Sequence, residues 1–236
     1  MKTFIFDLYG TIVDIKTDES SPQFKEAALE IFAKRGARIT QEEIFDLWRK
    51  GFEKRRKEPT AEPDAYEVFK DIFIAGGVTP TKKLIKDAAW EWRKASTLHL
   101  KLYPEMAGVL STLKRKSAAI YLLSNAQALF TKPELKLLDV EKYFDGIVIS
   151  SDVGYNKPDE RIFDFCLDKY GLNKKDCVFV GNDVCADVEG ALSAGLTPVY
   201  IRTIQSSPDD GQVPTPYAVF DGDFDKLKEI LLNLAN

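Results

Sequence analysis

Five short apolar runs, each followed by a segment with helical periodicity, constrain the fold of this chain more than any other feature. Short, almost continuous apolar runs are typical of parallel strands buried on both faces, and the segments between them are typical of crossover helices. The pattern therefore predicts an α/β fold built on a doubly wound parallel sheet. The predicted strands cover residues 3–6, 118–123, 146–149, 177–180 and 198–201. The predicted crossover helices cover residues 103–114, 132–143, 159–170 and 187–194.

Between the first and second predicted strands, the sequence changes to four successive amphipathic helical patterns. Ser21 before Pro22 is a helix-start signal, and Thr40 with Glu43 forms a capping box ahead of the second helix. These signals predict a four-helix cap domain over residues 16–100. The cap is inserted into a core domain formed by residues 1–15 and 101–236.

Composition limits the ligands and partners to be expected. The 236 residues include 33 Lys and Arg against 37 Asp and Glu, so the chain lacks the concentrated positive charge that nucleic-acid binding requires. No stretch reaches the roughly 18 consecutive apolar residues of a membrane span. We therefore expect a cytoplasmic protein that acts on a small molecule, binds neither nucleic acid nor membrane, and is a monomer or a homodimer.

Polar side chains follow four of the five predicted strands. In a parallel sheet the carboxyl ends of the strands share one edge, where ligands bind. The sequence thus predicts a functional site at this edge. Its candidate residues are Asp7, Tyr9 and Thr11 after the first strand, Ser124 and Asn125 after the second, Lys157 after the third, and Asn182, Asp183 and Asp187 after the fourth.

These residue types suit a covalent displacement. A carboxylate such as Asp7 can attack phosphorus or an electrophilic carbon, and water can then hydrolyse the intermediate. Ser124 can bind an oxygen that carries negative charge, while Lys157 offsets the charge of the nucleophile and the substrate. Mg²⁺ prefers hard oxygen ligands, which Asn182, Asp183 and Asp187 offer.

Structural roles are an alternative for several of these side chains. Thr11 could cap a turn, Lys157 could lie on the surface, and Asp187 could be the N-cap of the helix that follows it.

The set resembles, in order and spacing, the four motifs of the haloacid dehalogenase superfamily. Those motifs are a strand-terminal Asp followed by Gly-Thr, a strand-terminal Ser or Thr, a distant Lys, and a late acidic pair. The resemblance covers the whole chain and implies that Asp7 is the nucleophile of a hydrolase, and we expect Tyr9 and Lys157 to be catalytic residues beside it. It also implies that Asp7 and the main-chain carbonyl of Tyr9 complete the Mg²⁺ ligands, and that Thr11, Ser124 and Asn125 bind substrate.

Tyr9 is the main departure from the phosphatases of this superfamily, most of which carry a second Asp at that position as a general acid and base. A phenol with a pKa of about 10 is a poor substitute at neutral pH, and loss of such help costs about 10² to 10⁴ in rate. Asp-x-Tyr-Gly-Thr is instead the pattern of the L-2-haloacid dehalogenases. Their next signature appears as Leu47-Trp48-Arg49, which implies that Arg49 receives the substrate and the leaving halide.

The dehalogenase pattern is incomplete in this chain. Phe163 stands where those enzymes place a Tyr, and Ala186 stands where they place a Trp. Arg49 also belongs to a basic run that is typical of a solvated helix face. The last motif keeps two acids, Asp183 and Asp187, whereas the metal-free dehalogenases keep one.

We therefore expect a Mg²⁺-dependent phosphohydrolase that acts on a small phosphorylated metabolite. An acyl phosphate would lessen the need for an acid at position 9. Two alternatives stay open, namely a metal-independent L-2-haloacid dehalogenase and a catalytically impaired protein that binds a phosphorylated ligand.

Overall fold

The computed structural model describes residues 2–208 and 211–235, so residues 1, 209, 210 and 236 of the predicted core domain lie outside it. The described residues form eight strands. They are β1 Thr3–Phe6, β2 Val13–Thr17, β3 Thr97–Leu102, β4 Ala119–Ser124, β5 Gly146–Ile149, β6 Cys177–Gly181, β7 Thr197–Ile201 and β8 Ala218–Val219.

Ten α-helices accompany these strands in the described residues. They are α1 Pro22–Ala33, α2 Gln41–Arg55, α3 Ala65–Ala75, α4 Lys82–Ser96, α5 Met106–Arg115, α6 Ala128–Leu137, α7 Ser150–Val153, α8 Glu160–Tyr170, α9 Gly190–Ser193 and α10 Phe224–Leu234. A π-helical turn, Val184–Glu189, precedes α9, and 3₁₀ turns cover Glu141–Tyr143 and Lys174–Asp176.

Six strands form one parallel sheet in the order β5-β4-β1-β6-β7-β8. Within β1, Phe4 and Phe6 join the apolar cluster beneath α5 and α10, while Ile5 joins the cluster beneath α8. Side chains alternate between the faces of a strand, so helices on both faces keep β1 buried. This arrangement confirms the predicted doubly wound α/β fold, and the five predicted strands are each within one residue of their predicted bounds.

Helices α1 to α4 share a separate apolar cluster in which Phe32, Phe69 and Trp92 are fully buried. The capping box of α2 is present, because Thr40 Oγ1 accepts from the N–H of Glu43 and the Glu43 carboxylate accepts from the N–H of Thr40. We call residues 22–96 the four-helix unit.

An antiparallel ribbon of β2 and β3 joins the four-helix unit to the sheet. The predicted domain boundaries, after residue 15 and after residue 100, fall inside this ribbon. The ribbon escapes sequence analysis because its strands are short and largely exposed, so they show no apolar run.

Two predicted helices differ from the observed elements. The helix predicted over residues 132–143 begins four residues earlier as α6 and ends at Leu137. The helix predicted over residues 187–194 starts instead with the π-helical turn, whose N-cap is Asp183 because its Oδ1 accepts from the N–H of Ala186 at 2.7 Å. The N-cap alternative for Asp187 is therefore wrong.

Among the residues that the structure describes, no helix combines the length and the apolar character needed to cross a bilayer.

Candidate active site

A pocket of about 200 Å³ opens at the carboxyl edge of the parallel sheet. The topology explains its position, since β1, β4 and β6 are neighbours and their polar successors meet at one edge. Eight of the ten predicted site residues line it. The lining residues are Asp7, Tyr9, Ser124, Asn125, Lys157, Asn182, Asp183, Ala186, Asp187 and Gln205.

Lys157 lies between two carboxylates at the base of this pocket. Its Nζ donates to Asp7 Oδ1 at 2.8 Å and to Asp187 Oδ1 at 2.6 Å, and all three side chains are buried. Burial alone would lower the pKa of Lys157, but the two carboxylates outweigh it and hold that pKa above its usual value. The surface alternative for Lys157 is therefore wrong, and the cation is fixed beside Asp7.

Asp187 binds two groups: the Lys157 ammonium and the backbone of the turn after β6. Its Oδ2 accepts from the backbone N–H groups of Asn182 and Asp183, each at 3.0 Å. A Cβ at Gly181 would lie 2.3 Å from the Asp187 carboxylate, so only glycine lets the side chain fold back this closely. Both oxygens of Asp187 thus already accept protein hydrogen bonds, which favours a positioning role over the predicted role as a metal ligand.

Thr11 lies directly behind the nucleophile candidate and is fully buried. Its Oγ1 is 3.3 Å from Asp7 Oδ2 and 3.2 Å from Asn182 Oδ1, so its single hydroxyl hydrogen can serve either oxygen. Gly10 makes this contact possible, because its φ is +84° and a Cβ there would lie 2.4 Å from the Asn182 amide. Thr11 orients the oxygens of Asp7 and Asn182 and does not itself line the pocket.

Asn125 and Ser124 differ in what they contact. Asn125 accepts from the N–H of Lys157 at 2.7 Å and donates to the Lys157 carbonyl at 2.9 Å, which fixes the backbone of that lysine. Ser124 is 1% exposed, and its Oγ has no hydrogen-bond partner within the described residues. A buried hydroxyl without a partner is costly, so a pocket wall that carries one is suited to a polar ligand.

Tyr9 lines the pocket, but its hydroxyl contacts Thr131 and Glu134, which are not among the lining residues. The hydroxyl donates to Glu134 Oε2 and lies 3.0 Å from Thr131 Oγ1. Burial and the neighbouring negative charge of Glu134 raise the pKa of Tyr9 further above its usual value. This direction is opposite to the one that acid–base work at neutral pH requires, which weakens the predicted catalytic role of the phenol.

Arg49 does not reach the pocket, contrary to the implication of the dehalogenase signature. Its side chain is 58% exposed and pairs with Asp46 at 2.8 Å and Glu53 at 3.1 Å. On α2 the buried positions are Ile44 and Gly51, and Arg49 lies on a different side of the helix from both. The solvated helix face is therefore the correct interpretation of this arginine.

Two contributors to the site were missed from the sequence. Gln205, after β7, lines the pocket while its Nε2 donates to the Ile15 carbonyl at 2.7 Å. Glu134 is 1% exposed in the middle of α6 and receives the Tyr9 hydroxyl. No sequence pattern marks Gln205. Glu134 does carry a signal, because helical periodicity places it on the buried face of α6, where a charged side chain is rare unless it has a partner.

Metal binding at the carboxyl edge of the sheet would depend on carboxylate, amide and main-chain oxygens together. Within residues 2–208 and 211–235, no group of three or more His, Cys, Asp or Glu side chains is arranged to hold a metal ion. Amide and main-chain oxygens can also coordinate Mg²⁺. Asp7, Asn182 and Asp183 together line the pocket and present carboxylate and amide oxygens, the donor types that Mg²⁺ prefers.

A buried carboxylate beside a lysine, an unpartnered hydroxyl and a set of oxygen donors thus lie together at one edge of an α/β sheet. The profile of the haloacid dehalogenase-like hydrolases matches residues 1–195. This chain belongs to that family.

Relatives of both chemistries are similar to this chain. The glyceraldehyde 3-phosphate phosphatase of Methanothermobacter thermautotrophicus is 28% identical over 98% of this chain and all of that protein. The (S)-2-haloacid dehalogenase 4A of Burkholderia cepacia is 28% identical over 51% of this chain and 52% of its own length.

Solved structures agree on the fold. A HAD phosphatase from Thermococcus onnurineus superposes with a TM-score of 0.63 at 22% identity, covering 98% of each chain. The 2-haloacid dehalogenase of Pseudomonas syringae superposes with a TM-score of 0.66 at 20% identity, covering 99% of each chain. At these identities the likeness establishes the fold and does not separate the two reactions.

Proposed function

We propose that this chain is a Mg²⁺-dependent phosphohydrolase that acts on a small phosphorylated metabolite through an aspartyl-phosphate intermediate. The observation that carries the proposal is the Ser124 hydroxyl, which is buried and without a partner in the wall that also holds Asp7 and Lys157. A phosphoryl group has several oxygens, so it can accept hydrogen bonds from both this hydroxyl and the lysine ammonium.

In the first step, a carboxylate oxygen of Asp7 attacks phosphorus, and the bond from phosphorus to the leaving oxygen breaks with its electron pair on that oxygen. Lys157 stays beside Asp7 Oδ1 and offsets the charge of both anions, while Ser124 donates to a phosphoryl oxygen. In the second step, water attacks phosphorus, the bond to Asp7 breaks, and the water proton leaves to solvent or with the phosphate.

The donor set fits a magnesium ion. Asp7, Asn182 and the main-chain carbonyl of Tyr9 would hold it, with Asp183 as a further oxygen donor, while Asp187 instead keeps Lys157 and the β6 turn in place. When bound, the ion would supply positive charge that lessens the repulsion between the carboxylate nucleophile and the phosphate.

Several of the similar proteins support phosphorus over carbon as the electrophile. Besides the full-length match described above, the N-acylneuraminate-9-phosphatase of Rattus norvegicus is 30% identical over 51% of this chain and 48% of its own length. The dehalogenase alternative is supported by Tyr9 but loses its substrate-receiving arginine, because Arg49 is on the outer surface. We further propose that the four-helix unit is a cap over the pocket, since it is joined to the core by the β2–β3 ribbon.

A paired assay tests this function. The purified protein is incubated with 2,4-dinitrophenyl phosphate plus Mg²⁺, and separately with (S)-2-chloropropionate plus EDTA, and release of phosphate and chloride is measured. We expect phosphate release that EDTA stops and added Mg²⁺ restores. When turnover is quenched in acid, the wild-type chain should carry the added mass of one phosphoryl group. Asp7→Asn, which keeps the size of the side chain, should abolish both turnover and this added mass.

Chloride release in EDTA would overturn the phosphohydrolase in favour of the dehalogenase. If neither ion is released and phosphate still binds, the catalytically impaired binding protein becomes the correct description.

A further inference from the structure

The partners of the Tyr9 hydroxyl form a buried chain that reaches from the pocket into the four-helix unit. Glu134 on α6 is 1% exposed, and its two oxygens serve different donors. Oε2 accepts from Tyr9, and Oε1 accepts from Arg93 Nε at 2.5 Å. Arg93 lies near the end of α4, and its side chain is 14% exposed.

The same arginine also confines the tyrosine ring. Its guanidinium carbon is 5.9 Å from the centre of the Tyr9 ring and 5.4 Å from that of Phe130. The ring is therefore held beside Arg93, and the one O–H hydrogen of the phenol goes to Glu134, which does not line the pocket. A charge-assisted hydrogen bond of this kind is about twice as strong as a neutral one.

Three charged side chains of the pocket wall already take part in hydrogen bonds within the protein. Lys157 donates to two carboxylates, and Asp187 accepts hydrogen bonds at both of its oxygens. Asp183 accepts from the N–H of Ala186 through Oδ1. Ser124 has an aliphatic hydroxyl, which is no stronger an acid than the alcohol it would have to protonate.

We propose that Glu134 and Arg93 are positioning residues that turn the Tyr9 hydroxyl away from the scissile bond and thereby restrict the site to phosphate compounds whose leaving group departs without a proton. Acyl phosphates and phosphates of acidic phenols or enols belong to this class. The inference rests on the proposed phosphohydrolase function. In the attack by Asp7, the bond between phosphorus and the leaving oxygen breaks and its electron pair stays on that oxygen, so the leaving group departs as a carboxylate or as the anion of an acidic phenol or enol.

The dependence of rate on the leaving group tests this inference in the wild-type protein. The value of kcat/KM is measured with Mg²⁺ for aryl phosphates whose phenols range from 2,4-dinitrophenol to phenol itself. Without proton delivery, we expect kcat/KM to fall by about 10² to 10⁴ across the series, the size of the missing acid contribution. A matched pair of equal size, acetyl phosphate and ethyl phosphate, should show turnover of the acyl phosphate alone.

If kcat/KM for phenyl phosphate is within about tenfold of the value for the dinitrophenyl ester, a proton is delivered to the leaving group. That result would overturn the inference and leave the proposed phosphohydrolase function intact. Failure to hydrolyse even the dinitrophenyl ester would overturn the phosphohydrolase itself and the inference with it. These two failures are therefore distinguishable.

Two double variants test the positioning role. Arg93→Met with Glu134→Gln removes the ion pair but keeps an acceptor for the Tyr9 hydroxyl, whereas Arg93→Met with Glu134→Met removes both. We expect the Gln variant to retain the steep leaving-group dependence and the Met variant to flatten it, because the latter leaves the hydroxyl only the neutral Thr131 Oγ1 as a neighbouring acceptor. If Glu134 and Arg93 were merely structural, both variants would lower kcat/KM by the same factor for every substrate. That result would refute the proposed positioning role.

Discussion

Replacing Lys157 by methionine removes the cation that lies between the buried carboxylates of Asp7 and Asp187. Methionine is unbranched and a single atom shorter than lysine, so the change is mainly electrostatic. In the wild type, Lys157 Nζ is 2.8 Å from Asp7 Oδ1 and 2.6 Å from Asp187 Oδ1, and the three side chains are 1%, 9% and 3% exposed. Breaking a buried ion pair from one side costs about 3–5 kcal/mol.

That loss is a large part of the 5–15 kcal/mol or so that stabilises a typical domain. For a chain of this size it corresponds to a fall in Tm of about 6–20 °C. Burial raises the pKa of Asp187 to about 6 from its usual 3.8. Lys157 opposes this shift, so its removal raises the pKa of Asp187 further. A buried carboxylate with a raised pKa destabilises the fold in its charged form, so the penalty is larger at pH 8 than at pH 5, where Asp187 is protonated.

Urea denaturation followed by far-UV circular dichroism in EDTA measures the free energy of unfolding at pH 8 and pH 5. Lys83→Met is the matched control, because Lys83 pairs with Asp87 at 2.5 Å with both side chains exposed, and we expect no measurable change. A loss of less than about 1 kcal/mol for Lys157→Met at pH 8, the range of a surface pair, would refute the reasoning.

Three further predictions concern other contacts. Gly181→Ala brings a Cβ to 2.3 Å from the Asp187 carboxylate and should lower kcat about 10²-fold, whereas Gly108→Ala, where a Cβ meets nothing within 4 Å, should leave kcat unchanged; equal rates would contradict the packing argument. Tyr170→Phe removes the hydroxyl that pairs with Ile147 N–H and C=O on edge strand β5, and should cost about 1–3 kcal/mol in urea denaturation, a neutral result being incompatible with that role. Iodoacetamide at pH 7.5 should modify only the exposed Cys185 in the native protein and all three cysteines in urea, as counted by mass spectrometry, because burial raises the pKa of the other two thiols to about 11 and 12; rapid native labelling at a second cysteine would disagree.

Much of the sheet and its functional edge could be predicted from local patterns. The apolar runs around Phe6 and Val180 are adjacent in the sheet, and the residues that follow them meet because parallel strands end at one edge. The starts of helices α1 and α2 could also be predicted, because the Ser21 and Thr40 side chains cap N–H groups only three residues away in the sequence. The ribbon β2–β3 was missed because its strands are short, exposed and eighty residues apart along the chain.

The roles of individual polar residues depended on contacts that local patterns do not encode. Arg49 was placed at the site by its signature, but the orientation of α2 in its bundle turns it to solvent. Asp187 was predicted to bind metal, and the fold of the turn after Gly181 instead assigns both of its oxygens to protein donors.

By itself the sequence determined that a parallel sheet forms and that Asp7, Ser124 and Lys157 lie at one edge of it, because burial periodicity and strand ends are local properties of the chain. Only the tertiary structure decided what the Tyr9 hydroxyl does. Its acceptor, Glu134, is 125 positions away in the sequence. Arg93 lies on α4, which belongs to the apolar cluster of the four-helix unit, whereas Tyr9 packs against the cluster of the sheet. The direction of one O–H bond is set by which helices pack together, and that is a property of the whole fold.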